Sequence, residues 1–460
     1  MNATPAQPLT DAGPTTPAAK AQPRPDERVS MAAWRTLAIL LLFYLMSFID
    51  KQMISLLVNA MGKSLKLQDV QLGALIGTAF GGSYTVTVLV AGYLVDRFSK
   101  KLVLFLAVLG WSLAAASTGI ALSYGQLFLA RSLVGVGEGF LPPASFALIA
   151  LVFPRSKTAM ATGIFYAGAN LGSVVALLFG GSTIAALNAH GGFTFPLIGH
   201  LEAWRGAFLI SALPGAPIAF LAFLLHTRGR PGAEHTDVLH GQREGYWRFL
   251  KLRKGLLLCH NLAFGMNSAA CYAVLLWSPA YVERVFHWKA DRVGLTLALG
   301  SAAGGIANVT WGVVADKLKQ RGYQDGIYRL FAGLFILCIP TAFLTFTVAG
   351  PQFFLVGYLA TSILLLGSGG LTTAMQLATP AELRGRITGL QTVTSGVFGL
   401  SLSPMLVPTL TQYVYRDRQA VGLSIVTVIT GALLIAIVLQ TVARRSLREA
   451  IDVQEAATPA

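Results

Sequence analysis

Apolar stretches, each about as long as a bilayer is thick, recur along the whole chain after a polar start. A helix that crosses the hydrocarbon core needs about 20 largely apolar residues. Such stretches lie at 36–60, 70–95, 102–123, 126–152, 158–187, 204–226, 255–282, 292–316, 328–348, 352–378, 386–413 and 420–442. The pattern predicts an all-α integral membrane protein with twelve transmembrane helices.

Composition agrees with this interpretation. The chain is 54% hydrophobic and only 12% charged, whereas about 25% of the residues of a soluble domain are charged. Residues 1–32 are rich in Pro, Ala and Thr and have no apolar run, so we expect a disordered tail rather than a cleavable signal peptide.

The basic residues predict the orientation in the membrane. With both termini placed in the cytoplasm, 25 of the 35 Lys and Arg residues fall in inner segments and eight in outer segments. Positively charged loops remain on the cytoplasmic side. We therefore expect a multi-pass protein of a cell inner membrane with both termini cytoplasmic.

The longest hydrophilic interior segment divides the chain into two halves. We expect an N-terminal six-helix bundle at 33–227, a cytoplasmic linker at 228–254, a C-terminal six-helix bundle at 255–443 and a cytoplasmic tail at 444–460. The linker sequence from Trp247 to Lys254 is basic and amphipathic, which fits either a helix on the membrane surface or a solvated connection.

The two halves carry the same short sequence features. Gly92 to Asp96 ends the second helix, and Gly312 to Asp316 ends the eighth. Pro154 precedes Gly163 by nine residues, and Pro380 precedes Gly389 by nine. Parallel repeats of this kind, related by an axis along the membrane normal, are a known plan of transporters.

Other classes of protein are disfavoured. The net charge of +15 is spread over short clusters between apolar stretches, which does not suit a nucleic-acid surface. The three cysteines have no metal-ligand spacing. The glycines at 135, 137 and 139 lie inside an apolar span rather than between a strand and a helix, so they do not indicate a dinucleotide site. We expect no enzyme activity, metal or cofactor.

These residues resemble a known family. Gly92-Tyr-Leu-Val-Asp96-Arg97-Phe-Ser-Lys100-Lys101 looks like the major facilitator signature between helices two and three, with Ser99 in place of the usual Gly. More narrowly, Asp50-Lys51 in helix one and the run from Arg131 to Glu138 in helix four resemble the spinster-like branch, where Lys51 departs from the usual Arg. Organic anion permeases also carry such a pair in helix one. The resemblance implies a transporter of two pseudo-symmetric six-helix bundles, whose helices one, four, seven and ten line a central cavity.

Charges within the apolar stretches are the leading candidates for function, because a membrane-buried charge costs about 2.5–3.5 kcal/mol on insertion scales. Arg131 and Glu138 are seven residues apart and therefore share a helix face. The resemblance places Asp50 near that face. We expect Asp50 and Glu138 to carry a coupling proton, with Arg131 as their counter-ion and an anion ligand; a permanent ion pair that only joins two helices is the alternative.

Further substrate contacts are expected from Lys51 and from neutral polar residues of the second half. Lys51 faces either substrate, the inner membrane surface or a neighbouring helix. The second-half candidates are Asn261, Asn267, Thr373 and Gln376. His260, only six residues after Lys254, is expected to lie at a helix end near the cytoplasmic interface.

The signature predicts a gate on the cytoplasmic side. Asp96 can cap the positive N-terminal end of helix eleven. By the family resemblance this contact holds the outward-facing state, with Arg97 in support, Gly92 in the same motif and Asp316 in its second copy.

The sequence therefore predicts a proton-coupled secondary active transporter that works by alternating access. One charged and one soft side of the cavity suits an amphiphile, and spinster-like proteins are associated with lysophospholipids and sphingoid phosphates. The alternatives are a proton-coupled permease for small organic anions and multidrug efflux. The expected partners are this small amphiphilic or anionic substrate, protons and the lipid bilayer, with no nucleic acid, and we expect a monomer.

Overall fold

The computed structural model describes residues 29–195, 199–227, 239–367, 370–380 and 383–456. Most of the predicted N-terminal tail lies outside these residues. Six long helices form the first half of the chain. Their bounds are α1 Met31–Ser64, α2 Asp69–Arg97, α3 Lys100–Ile120, α4 Tyr124–Val152, α5 Arg155–Ala189 and α6 Ala203–Leu224.

The second half has helices at the six remaining predicted stretches. Their bounds are α7 Lys254–Phe286, α8 Ala290–Gln320, α9 Gly326–Val348, α10 Phe354–Leu365, α11 Arg384–Tyr415 and α12 Val421–Ala456. A short helix, Leu371–Leu377, follows α10. Among the described residues, ten helices are long and apolar enough to cross a membrane; α7 and the shorter apolar α10 occupy the other two predicted stretches.

Two small elements lie between the long helices. Strands β1 Phe193–Phe195 and β2 Gly199–Leu201 pair antiparallel between α5 and α6. A linker helix, Leu239–Leu252, precedes α7. Trp247 and Leu252 on this linker helix are exposed, whereas Tyr246 lies 5.4 Å from the Arg386 guanidinium at the start of α11.

The halves meet closely at one end of the bundle. We call the end where α1 begins the terminal face and the opposite end the distal face; consecutive spanning helices alternate in direction, so α2 and α8 begin at the distal face. A Cβ added at Gly73, Gly77 or Gly81 of α2 would collide with the backbone of α11. These glycines therefore let α2 and α11 approach closely. Both helices widen into π-helical turns here, at Leu75–Gly82 and Gly396–Leu402.

At the terminal face the same helices are apart. A Cβ at Gly92 of α2 or Gly389 of α11 would meet no atom of the described residues within 4 Å. The helices α5 and α8 behave alike. At the distal end, a Cβ at Gly181 would lie 3.0 Å from the Cα of Gly294. At the terminal end, a Cβ at Gly163 or Gly312 would meet no described atom within 4 Å. In the part of the chain that the structure describes, the two halves are therefore closed at the distal face and open at the terminal face.

A carboxylate fastens the ends of two second-half helices at the terminal face. Asp325, just before α9, accepts hydrogen bonds from Arg329 Nε (3.0 Å) and from Arg444 Nε of α12 (2.8 Å). Burial alone would raise the pKa of the Asp325 carboxyl, but these two arginines outweigh burial and hold the pKa below its usual range.

Candidate functional site

Helix α1 presents a polar stripe to the middle of the first half. Tyr44, Ser47 and Lys51 follow each other at three- and four-residue spacing and so share one helix face. Lys51 donates from Nζ to Ser47 Oγ at 2.5 Å, and Ser47 donates from Oγ to Glu138 Oε2 at 2.5 Å. The stripe therefore connects α1 to α4 through hydrogen bonds to one carboxylate.

Glu138 has its ion-pair partner in α1. Lys51 Nζ lies 2.5 Å from Glu138 Oε2, and the side chain of Glu138 has no exposed surface. The sequence prediction named Arg131 as the counter-ion, but the direct partner is Lys51. The long side chain of Lys51 extends from α1 toward α4. The aromatic rings of Phe48, Phe80 and Tyr84 surround its ammonium group, with ring centres 4.9–5.5 Å from Nζ. Lys51 thus faces neighbouring helices and does not point toward a membrane surface.

Arg131 retains hydrogen-bonding capacity in the interior. It is only 1% exposed, and its guanidinium lies 5.1 Å from the centre of the Phe80 ring. Its Nε and Nη1 atoms have no hydrogen-bond partner among the described residues. Since an unpaired buried donor is costly, these atoms are available to an incoming acceptor.

The second carboxylate completes a balanced group of charges. Asp50 is 6% exposed, its Oδ2 atom lacks a hydrogen-bond partner in the described part of the chain, and it interacts electrostatically with Arg131, as does Glu138. The group contains two carboxylates and two cations, with Lys51 as the second cation. We call Asp50, Lys51, Arg131 and Glu138 the charge quartet; its formal charge is zero.

A narrow cleft between the halves runs beside the quartet. Phe48, Lys51, Phe80 and Arg131 line its first-half side. Tyr272, Leu275, Leu276 and Leu400 line the opposite side, from α7 and α11. Its free volume is about 10 Å³, which is room for roughly one water molecule. The distal closure of the bundle accounts for this small volume.

A group of tyrosines, which the sequence prediction missed, lies next to the quartet. Tyr44, Tyr84 and Tyr272 are partly buried and Tyr166 is exposed, and the four interact with one another. Tyr272 also lines the cleft beside the quartet. The spacing of Tyr44 from Ser47 and Lys51 was the signal that could have revealed this group.

The second-half candidates lie elsewhere. Asn261 and Asn267 are buried and are not among the residues that line the Arg131 cleft, and Thr373 and Gln376 are exposed. Asn261 donates to the carbonyl of Leu257 at 2.8 Å within its own helix. The structure therefore does not bring these four residues to the quartet.

His260 is not a helix-end residue at an interface, as the sequence had suggested. It is only 2% exposed, and its ring nitrogens contact the Tyr328 hydroxyl at 2.7 Å and Gln391 Nε2 at 2.6 Å. These contacts connect α7 to α9 and α11 inside the second half. The helix begins almost where it was predicted, at Lys254, but α9 and α11 pack against its second turn and bury His260.

The predicted gating residues lie at the open terminal face. Asp96, Arg97 and Asp316 are exposed, and the Arg97 guanidinium lies 4.8 Å from the centre of the Tyr93 ring of its own helix. Gly92 has free space around it. In this state the structure does not bring Asp96 into the predicted contact with α11.

A second group of charges closes the distal face, and sequence reasoning did not anticipate it. Asp69, at the start of α2, is 4% exposed and pairs with Arg284 Nη1 at 2.8 Å and with Arg418 Nη2 at 2.9 Å. Arg284 Nε also donates to Asn59 Oδ1 at 2.7 Å. We call Asp69, Arg284 and Arg418 the distal latch. It joins the two halves at the face where they are closed.

Comparison with known proteins identifies the type of molecule. Residues 40–404 match the sequence profile described as Major Facilitator Superfamily. The Probable sulfoacetate transporter SauU of Cupriavidus necator is 25% identical over 86% of this chain and 90% of its own. An MFS-type efflux pump of Mycolicibacterium smegmatis is 24% identical over 88% and 90%, and the Probable L-galactonate transporter of Escherichia coli is 25% identical over 71% and 74%.

A solved structure shares the fold. A bacterial homologue of the human lysosomal transporter Spinster, in an inward-facing and unoccupied conformation, superposes with a TM-score of 0.74 at 18% identity. The match covers 94% of this chain and 100% of that one.

Proposed function

The chain belongs to the Major Facilitator Superfamily, and on this basis we propose that it moves a small organic anion in symport with protons. The all-α membrane fold predicted from the sequence is confirmed, and the protein is a transporter rather than an enzyme. The observation that carries the proposal is the buried Arg131 guanidinium, which has two nitrogens without a hydrogen-bond partner among the described residues and lies beside a cleft between the halves. Guanidinium donors match carboxylate and sulfonate oxygens in geometry and charge.

The charge quartet supports proton coupling. With Asp50, Lys51, Arg131 and Glu138 all ionised, the formal charge is zero. Entry of a monovalent anion would leave one net negative charge in a low-dielectric interior, which is costly, and a divalent anion would leave two. Uptake of a proton by Asp50 or Glu138 restores neutrality, so the anion and the proton stabilise each other. We assign the coupling proton to these two carboxylates.

Cavity chemistry favours a polar anion of modest size. The hydroxyls of Tyr44, Tyr84 and Tyr272 lie near Glu138 and can donate to or accept from hydroxyl groups of a substrate. Two relatives bear names that specify sulfoacetate and L-galactonate, both small organic acids. Asn261, Asn267, Thr373 and Gln376 stay candidates for contacts in another state of the cycle.

Alternating access would use two gates. The distal latch stabilises the present state, and the signature residues Gly92, Asp96, Arg97 and Asp316 would close the terminal face in the other state. The distribution of basic residues supports cytoplasmic termini in a cell inner membrane, which makes the present state inward-facing. We propose that the transporter is a monomer. Its two functional halves lie at 33–227 and 255–443, with a linker at 228–254 and a tail at 444–460.

An amphiphilic, lipid-like anion is the second candidate. The cleft has charged residues on its first-half side, but Leu275, Leu276 and Leu400 face it from the second half. This asymmetry would accommodate a polar head at Arg131 and an apolar tail against the leucines. Export is an alternative direction of transport, because one relative is named as an efflux pump.

The test is uptake into proteoliposomes with and without an inwardly directed proton gradient. Sulfoacetate, galactonate and a lysophospholipid serve as labelled substrates, and Arg131→Gln and Glu138→Gln as variants. Gradient-driven uptake of a small acid, lost in both variants, is the expected result. Lysophospholipid flux without organic acid flux would replace the first candidate with the second. Flux of neither by correctly folded protein would contradict the assignment of Arg131.

A further inference from the structure

A recess lies at the distal face, next to the latch. Its free volume is about 230 Å³, and its lining includes Lys63, Glu283, Arg284, His287 and Arg418. We propose that this recess is an external anion-binding site, where the transported anion replaces the Asp69 carboxylate on the two latch arginines and thereby opens the distal gate. The inference rests on the proposed function for the class of anion and for the outward orientation of this face.

The latch has the geometry of a site for a carboxylate. Arg284 binds Asp69 with two parallel bonds, from Nη1 to Oδ2 at 2.8 Å and from Nη2 to Oδ1 at 3.1 Å. Arg418 adds a bond from Nη2 to Oδ1 at 2.9 Å. A carboxylate or sulfonate from solution presents the same pair of oxygens, so it can satisfy the same donors.

Solution anions can reach Arg418 without prior opening. The side chain of Arg418 is 63% exposed, whereas that of Asp69 is only 3% exposed. Lys63 is exposed on the rim of the recess, and within the described residues it makes no ion pair. An anion can therefore first bind between Lys63 and Arg418 and then compete for Arg284.

The charge of the recess favours this binding. Lys63, Arg284 and Arg418 contribute three positive charges, against Glu283 and Asp69 with His287 counted as neutral. The Glu283 carboxylate accepts a hydrogen bond from Asn59 Nδ2 at 2.7 Å, which holds it to one wall. A net positive charge therefore remains for an incoming anion.

Replacement of Asp69 would act on the gate, because the latch connects elements of opposite halves. Asp69 belongs to α2, Arg284 to α7 and Arg418 to the turn before α12. A ligand shifts a conformational equilibrium only by its difference in affinity between the two states. The arginines are free of Asp69 only when the halves have separated, so an anion that binds them prefers the open state.

The experiment measures the distance across the distal gate by pulsed electron paramagnetic resonance. Spin labels are placed at Gln68→Cys and Val414→Cys in otherwise cysteine-free protein; the hydrogen bond between Gln412 and Gln68 is lost equally in all samples. Malonate is the probe, malonamide is its neutral control, and chloride keeps the ionic strength constant. The variants are Lys63→Gln, which alters the recess alone, and Arg131→Gln, which alters the central site alone.

We expect malonate, but not malonamide, to raise the population of long distances at least about fivefold. The response should survive in Arg131→Gln and should need a higher malonate concentration in Lys63→Gln. A response lost in Arg131→Gln and unchanged in Lys63→Gln would place the effect at the central site and overturn the proposal. An equal effect of malonate and malonamide would also overturn it. Under the proposed function, Arg131→Gln loses transport but should keep the response of the distal gate to malonate. Failure of the proposed function and failure of this site therefore give different results.

Discussion

Replacement of Lys51 by methionine should destabilise the protein, because it leaves the Glu138 carboxylate buried without its direct cation. The Lys51 Nζ to Glu138 Oε2 distance is 2.5 Å, and the exposed fractions of the two side chains are 11% and 0%. Removal of one partner from a pair this buried costs about 3–5 kcal/mol. Since Glu138 can take up a proton in response, we expect about 3 kcal/mol.

A double-mutant cycle isolates the pair. In Lys51→Met/Glu138→Gln neither charge remains, so the double variant should recover about 2 kcal/mol of the summed losses. The matched cycle is Arg131→Met with Glu138→Gln. Because Arg131 makes no direct hydrogen bond to Glu138 in the described structure, its coupling energy to Glu138 should be smaller, about 1 kcal/mol.

Thermal unfolding in detergent at one fixed scan rate provides the assay, since unfolding of membrane proteins is commonly irreversible. Each kcal/mol corresponds to roughly 1–2 °C for a chain of this size. Additive losses in the Lys51 cycle, together with strong coupling in the Arg131 cycle, would refute the reasoning. Arg131 would then be the counter-ion of Glu138, as the sequence alone had suggested.

Three further outcomes are expected. Asp69→Asn should weaken the distal closure by about 2 kcal/mol, which raises the population of the open state roughly 30-fold relative to the closed state. An impermeant maleimide should then label a cysteine inside the distal gate at a higher rate. An unchanged labelling rate would refute the role of the latch. Gly81→Ala should lower the unfolding midpoint by the equivalent of about 1–3 kcal/mol, because its Cβ would meet the Leu400 carbonyl. Gly110→Ala, whose Cβ would meet no described atom within 4 Å, should have little effect. Equal losses in the two variants would contradict the packing argument. The pKa of Asp325 is held below its usual range, so the ionised carboxylate contributes fully to stability above about pH 4, and this contribution is lost as pH falls through the lower folded-state pKa. Asp325→Asn should therefore cost about 1 kcal/mol of stability at pH 7 and nothing in acid. A loss of stability independent of pH would exclude the ionised carboxylate as its cause.

Much of the fold follows from the sequence because a bilayer imposes a simple rule. The alternation of apolar stretches and charged connections predicted a helix at each of the positions where the described residues have one. Arg131 and Glu138 were found for the same reason, since a charge inside an apolar stretch needs a partner or a use. The contact of the α2 glycines with α11 became evident only from the structure.

The remaining features depend on which residues meet in space. Asp69 and Arg418 are 349 positions apart in the sequence. In the sequence alone, each resembles an ordinary charged residue at a helix end. Only the closed distal face brings them together. The sequence did not determine the contact partner of Lys51 for a related reason. Its long side chain can reach several neighbours, and pairing with Glu138 depends on the distance between α1 and α4. Tyr44 carries no charge and therefore escaped a search based on charge.

The central claim is that one carboxylate of the quartet couples proton movement to anion movement through Arg131. The most direct measurement compares two modes of sulfoacetate or galactonate transport in Glu138→Gln proteoliposomes. Exchange between equal concentrations on both sides needs no net proton movement, whereas accumulation against a gradient does. We predict that Glu138→Gln retains exchange and loses proton-driven accumulation. Accumulation at the wild-type level in both Glu138→Gln and Asp50→Asn would contradict the account.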